Sequence, residues 1–318
     1  MRIGVLNNLR AGRSRQQVER IVSFLRGYPA VSHVETPRGD VVPDALSRFA
    51  REGIDVLVVQ GGDGTLARVL TEIYEHGAFP TPPLVAPLRG GRTNMSALDI
   101  GTQRDPVRAL WTLLEAARRG AVERRIVSRP VLRMEIPGEG VVQHGMFFGL
   151  GVIHRAIEVV HRAFPKGRSQ GVFGASVVTS GLVVGAAFGG SDGILDADKL
   201  QLRLDGDPPT TGEYRLVLAT TLERLFAGMR PFWGVEPAPL HLTAVAAGAH
   251  RLGAAAAGIL RGRPGPQVTP ANGYLSRNVH GAELLVDCGL TVDGEMWRPE
   301  PGRRVRLSAS DTVRFVRL

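Results

Sequence analysis

The 318-residue chain is 43% hydrophobic with a mean hydropathy near zero, which gives room for two domains with separate cores and the composition of a globular protein. Its one cysteine, Cys288, excludes a disulfide framework and agrees with a reducing cytosol. The formal charge of +9 is spread as +5 over residues 1–125 and +4 over the remainder, with no basic run, zinc spacing or interleaved aromatic stripe, so a nucleic-acid partner is not expected.

Residues 3–6 read as a short buried strand ending at Asn7-Asn8, and not as a signal peptide, because polar residues follow at once. A polar, basic segment over 8–14 leads into a helix patterned by Val18, Ile21, Val22 and Leu25. Residues 31–35, 45–50 and 54–59 then read as strand, helix and strand. Alternation of this kind predicts a parallel sheet with helices on both faces, and ligands at the carboxyl ends of its strands.

The strand over 56–59 stops at Gln60-Gly61-Gly62-Asp63-Gly64-Thr65, and a helical pattern (Leu66, Val69, Leu70, Ile73) takes over. Strand, glycine turn and helix together aim unpaired backbone N–H groups at an anion. Glycine allows close approach of the main chain and positive φ. Asp63 is the unusual member: a carboxylate in an anion cradle repels phosphate unless a divalent cation intervenes or it accepts a hydrogen bond. A plain β-to-α turn with an acid near the helix start is the alternative. A dinucleotide fingerprint, matched by residues 62–67, is another, although the next strand (84–86) ends without the ribose-binding acid. That strand enters a second glycine turn, Arg89-Gly90-Gly91-Arg92-Thr93-Asn94-Met95, before a helix start that Thr93 could cap. Two such turns at neighbouring strand ends, with Arg89 and Arg92 between them, favour a polyphosphate. Neither of the two lysines, Lys166 and Lys199, sits in a Walker or protein-kinase motif, which closes those routes to phosphoryl transfer.

An amphipathic helix over 105–120 starts at Asp105-Pro106. Beyond 125 strand-like runs predominate: 129–136, 141–148, 200–204, 214–220, 240–245 and 284–286. The expected architecture is an α/β domain over 1–125, completed by residues 305–318, and a β-rich, sandwich-like domain over 126–304. The apolar stretch over 172–190 carries Ser176, Thr179 and Ser180 and reads as a buried helix in preference to a membrane span. His154, at a helix start, reads as a surface or satisfied histidine, and Phe226, Met229, Phe232 and Trp233 as either an acyl pocket or ordinary core.

Gly61-Gly62-Asp63-Gly64-Thr65 resembles the signature of the diacylglycerol kinase catalytic-domain family, which includes bacterial lipid kinases and sphingosine and ceramide kinases, with NAD kinase as a distant relative. Asn7, Gly12 and Ser14 resemble part of its nucleotide loop, without the proline. Thr93-Asn94 resembles its second glycine segment, with Met95 where an acid usually stands. Ser191-Asp192-Gly193-Ile194-Leu195-Asp196 and Asp293-Gly294-Glu295 resemble two later family segments, whereas Thr220-Thr221 replaces an expected asparagine. The resemblance implies ATP and Mg²⁺ as cofactors, nucleotide contacts from Asn7, Gly61, Gly62, Asp63, Gly64, Thr65, Gly90, Gly91, Arg92, Thr93 and Asn94, metal held by Asp63 and Asp192, and catalysis by Asp63 with Glu295 as base. It implies phosphoryl transfer to a hydroxyl of a diacylglycerol-like lipid, in a cytoplasmic protein working at the inner membrane surface; a homodimer is compatible. A non-catalytic lipid- or nucleotide-binding relative, an NAD kinase-like enzyme and an NAD(P)-dependent oxidoreductase are the competing readings.

Overall fold

The computed structural model describes residues 1–9, 15–37, 39–163, 193 and 196–318. The chain divides into two compact units, Met1–Arg129 with Asp311–Leu318, and Pro130–Ser310. The apolar stretch over 172–190 lies outside the described residues, as do Gly12, Ser14 and Asp192.

In the first unit, strands β1 (Ile3–Asn8), β2 (Ser32–Thr36), β3 (Val56–Gly61), β4 (Leu84–Arg89) and β5 (Ile126–Pro130) are joined by β17 (Thr312–Val316) from the far end of the chain. The strand order is β2-β1-β3-β4-β17-β5, and β2, β1, β3, β4 and β17 run parallel. Helices α1 (Arg15–Leu25), α2 (Val42–Glu52), α3 (Asp63–Tyr74), α4 (Met95–Ile100) and α5 (Pro106–Arg118) complete the unit.

Period-two side chains explain the layering. Ile3, Val5, Val56, Val58, Leu84, Ala86 and Leu88 share one buried cluster with Ile21 and Leu25 of α1 and Ala109, Leu110 and Leu113 of α5. Intervening positions face the other way: a Cβ on Gly4 would stand 3.1 Å from Phe49 of α2. Strands buried on both faces are continuous apolar runs for this reason. Helix ends follow local chemistry. Asp105 accepts from the N–H groups of Val107 and Arg108 at 2.9 and 3.0 Å to start α5, and Gly53 closes α2 at φ 66°.

The second unit is antiparallel. It contains β6 (Leu132–Ile136), β7 (Val141–Gly145), β8 (Phe147–Gly151), β9 (Asp198–Leu204), β10 (Thr210–Thr220), β11 (Leu240–Ala246), β12 (Tyr274–Val279), β13 (Gly281–Val286), β14 (Leu290–Val292), β15 (Glu295–Trp297) and β16 (Arg303–Ser308), with helices α6 (Val152–Ala163) and α7 (Leu252–Leu260). The long β10 pairs with β9 through its first half and with β8 through its second. Alternate residues of several strands, among them Leu132, Met134, Leu200, Leu202, Leu284 and Leu307, bury into one core.

The fold class is therefore the expected one: a parallel sheet covered on both faces, and a β-rich second unit. Elements that went unread in the sequence include β12, β16 and α7. In β16, Arg303, Arg304 and Arg306 mask the alternation that buries Val305 and Leu307. The chain re-enters the first unit at Asp311 and not at 305, because β16 is paired with β13 and β6. Among the described residues, no helix is long and apolar enough to cross a membrane.

Candidate functional site

Asn7, Gly61 and Arg89 end or nearly end three adjacent parallel strands, so the first unit gathers both glycine turns on the carboxyl edge of its sheet. The two turns are packed main chain against main chain. A Cβ on Gly91 would lie 2.4 Å from the Cα of Gly62, and one on Gly90 would lie 2.9 Å from the nitrogen of Gly61. A Cβ on Gly61 would meet the Thr65 side chain at 2.5 Å. None of Gly61, Gly62, Gly64, Gly90 and Gly91 has positive φ. The expected conformational reason is thus replaced by a steric one: Gly62, Gly90 and Gly91 remove side chains where the two turns touch, and Gly61 makes room for Thr65.

Exposure separates the site residues into two sets. Gly61, Asp63, Gly90, Gly91 and Asn94 are buried and hold the turns, whereas Gly62, Gly64, Thr65, Arg92 and Thr93 are half-exposed and present them. The space between residues that include Gly62, Asp63, Asn94 and Ser96 is about 10 Å³. That volume holds one water at most, so a phosphate does not fit there. The half-exposed set is the part of the turns that a ligand can reach.

The expected cradle of amides over 61–65 and 90–94 is narrower than the sequence implied. Thr65 N–H donates to the Gly62 carbonyl at 3.0 Å, Gly90 N–H to the Gly61 carbonyl at 3.0 Å, and Gly91 N–H to Asn94 Oδ1 at 2.7 Å. The amides of Asp63 and Gly64, in the first turn of α3, have no intrahelical acceptor and remain for an anion.

Asp63 is 6% exposed. Its Oδ2 accepts from Thr93 Oγ1 at 2.7 Å and from Met95 N–H at 3.1 Å, and its Oδ1 accepts from Ser96 N–H at 3.1 Å. The carboxylate therefore caps α4 from 32 residues away in sequence. Thr93, which the sequence offered as the cap, instead donates its hydroxyl to Asp63. Asn94, at φ 53°, precedes the helix and closes its own turn: Nδ2 donates to the Gly91 carbonyl at 2.9 Å. Of the roughly four acceptor positions on a carboxylate, three are occupied here. Among the described residues, no group of three or more His, Cys, Asp or Glu side chains is placed to hold a metal. Asp63 can supply one remaining contact, which fits Mg²⁺ held largely by waters and nucleotide phosphates.

Asn7 is fully buried, and neither its Oδ1 nor its Nδ2 has a hydrogen-bond partner among the described residues. Gln60, facing it on β3, has an Oε1 in the same condition. Asn8, which the sequence reading passed over, reaches the glycine turn instead: its Nδ2 donates to Thr65 Oγ1 at 2.8 Å. The signal was available, since neighbouring residues of a strand point to opposite faces.

The remaining candidates lie in the second unit. Asp293 and Gly294, at φ 48° and 87°, form the two-residue turn between β14 and β15. Asp293 is buried, with its Oδ2 accepting from Met146 N–H at 2.8 Å. Glu295 follows on β15 with its side chain exposed. Thr220 donates its hydroxyl to the Met146 carbonyl at 2.8 Å, and Thr221 N–H donates to the same oxygen at 3.1 Å. His154 is buried at 5% exposure, not on the surface. A Cβ on Gly289 would lie 2.2 Å from its ring, and burial lowers its pKa against a partial opposing effect of Glu158. Arg155 pairs with Asp198 at 2.8 Å, and burial raises the Asp198 pKa despite that partner. Phe232 stacks on His241 with ring centres 4.4 Å apart, and Trp233 packs on the cluster of Val245, Ile259 and Tyr274.

Strand, glycine turn and helix, paired at the carboxyl edge of a parallel sheet, is an arrangement suited to receiving an anion. Residues 2–123 match the family described as the diacylglycerol kinase catalytic domain, and the resemblance seen in Gly61-Gly62-Asp63-Gly64-Thr65 falls within that stretch. No curated protein matches the sequence. Similar solved structures include a protein of Bacillus anthracis str. Sterne named provisionally as a diacylglycerol kinase. It is 17% identical with a TM-score of 0.68, over 100% of this chain and 95% of that one. The yeast NADH kinase complexed with NADH is 12% identical with a TM-score of 0.53, over 100% of this chain and 84% of that one. An NAD kinase from Archaeoglobus fulgidus in complex with ATP is 13% identical with a TM-score of 0.50, over 100% and 94%. At these identities the likeness is one of fold.

Proposed function

We propose that the protein is an ATP- and Mg²⁺-dependent kinase that phosphorylates a hydroxyl of a diacylglycerol-like lipid presented at a membrane surface. The observation that carries this reading is the contact between the two glycine turns at Gly62 and Gly91, within a stretch that matches the diacylglycerol kinase catalytic domain. The amides of Asp63 and Gly64, at the positive end of α3, would orient nucleotide phosphates. Arg92 would place a positive charge beside the transferring group. Mg²⁺, held through Asp63 and waters with Asp192 as a further candidate, supplies charge neutralisation when bound. The assignment of Glu295 as acceptor of the hydroxyl proton rests on the resemblance of Asp293-Gly294-Glu295 and on an exposed carboxylate.

Transfer of labelled phosphate from ATP to a lipid array, with NAD in parallel, tests the proposal. Label is expected on a lipid with a free hydroxyl, and Asp63→Asn and Glu295→Gln are each expected to lower kcat by about 100-fold or more. Label appearing on NAD and on no lipid would replace this reading with an NAD kinase-like one. A second reading, a non-catalytic nucleotide- or lipid-binding relative, is favoured by Met95 in place of the family acid and by the three hydrogen bonds that occupy Asp63. Calorimetric binding of Mg-ATP without transfer to any acceptor would decide for it.

A further inference from the structure

The first unit holds a second concentration of positive charge that shares no residue with the glycine turns. The short 3-10 turn Glu123–Arg125 leads into β5, and the end of β17 runs beside it, with Arg317 N–H donating to the Arg125 carbonyl at 2.9 Å. Arg124, Arg125 and Arg317, separated by almost 200 residues of sequence, thereby line one cavity of about 440 Å³ whose other walls are Ala121, Ile126 and Val127. No carboxylate is among the described residues that line it.

Among the described residues the three guanidinium groups have no counter-ion. Arg317 Nε donates to the Ile100 carbonyl at 3.1 Å, and Arg125 Nη1 lies 3.4 Å from the Arg317 carbonyl, so two of the three are tied to the main chain. No ion pair involves any of them among the described residues. Elsewhere in this unit arginines are matched, as in Arg20 with Asp105, Arg48 with Glu52 and Arg118 with Glu115. Glu123, next to Arg124 in sequence, is engaged by Arg314 at 3.0 Å, and Asp99, next to the Ile100 whose carbonyl Arg317 reaches, by Arg129 at 2.9 Å.

Three unneutralised guanidinium groups around one hollow repel each other until an anion enters, and their planar donor sets match phosphate oxygens. The apolar walls suit a carbon-bearing group next to that anion. We propose that this cavity is a binding site for a phosphate ester, distinct from the glycine turns and independent of the function proposed for them. A soluble phosphate compound and a lipid headgroup offer the same chemistry.

The test uses the full chain without Mg²⁺, with pyrophosphate and glycerol phosphate as soluble probes in calorimetry, and phosphatidylcholine vesicles with or without phosphatidic acid in co-sedimentation. Binding in either arm is expected, and the arm that responds identifies the source. Arg124→Gln with Arg317→Gln should weaken it by about tenfold or more. The charge-matched pair Arg26→Gln with Arg51→Gln, two exposed arginines of α1's end and α2, should leave it unchanged. If the double variant loses its circular dichroism, Arg124→Gln alone, an exposed side chain, should still show the weakening. Absence of binding in both arms, equal binding by all variants, or an equal loss in the control pair would overturn the proposal.

Discussion

Asp63 shows how one side chain can be named correctly and still be misjudged in its surroundings. The sequence marked it as an acid among glycines that needs a cation or a donor. The structure supplies donors, Thr93 Oγ1 and the N–H groups of Met95 and Ser96. An asparagine there would turn an N–H₂ towards groups that are themselves donors. Asp63→Asn is therefore expected to lower stability by about 1–3 kcal/mol, read from the denaturant midpoint, in addition to its effect on turnover. At the same scale, burial lowers the pKa of both His33 and His154. Each folded-state pKa lies below the unfolded value near 6.5, so the unfolded chain binds more protons as pH falls. The contribution of these histidines is complete above about pH 6.5 and is lost as pH falls through their folded pKa values. The thermal midpoint should drop between pH 7 and 5, and the drop should be smaller in His154→Phe, which keeps a ring against Gly289; an unchanged slope would show that His154 is not the titrating group.

Among elements, the paired glycine turns matter most. Their positions were readable because glycines clustered after buried strands are rare outside anion sites and tight turns. Their reason was not readable, because the Gly62–Gly91 contact joins loops that follow different strands. Gly91→Ala is expected to cost about 3 kcal/mol, since its Cβ would meet main chain that cannot rotate away. Gly248→Ala, with nothing within 4 Å of its Cβ, should stay within about 0.5 kcal/mol in the same urea titration. Equal effects would show that the turns relax apart freely. The helices were read best where a cap announced them, as Asp105 does for α5. Strand β16 was missed because its exposed positions are arginines, and α7 because nine apolar residues in a row have no amphipathic period to detect.

At the level of the whole molecule, the last strand decides the most. Val313, Phe315, Val316 and Leu318 are buried, and β17 lies between β4 and β5 in the first sheet. Removing residues 311–318 would empty that core and leave two strand edges unpaired. The truncated chain is expected to aggregate or to lose its cooperative melting transition, which circular dichroism would follow. A truncated chain that melts like the full one would mean that β4 and β5 do not depend on it.

Short-range chemistry fixed the strands, the glycine turns, the helix starts and the family resemblance, because backbone preference, side-chain period and capping act over a few residues. Long-range closure of the chain decided the rest. It handed the Asp63 carboxylate to a turn 30 residues onward, set two glycines in contact, and brought Arg124 and Arg317 to one cavity. Hydrogen-bond partners and charge neighbours depend on which strand ends lie side by side, and no local pattern in the sequence carries that adjacency.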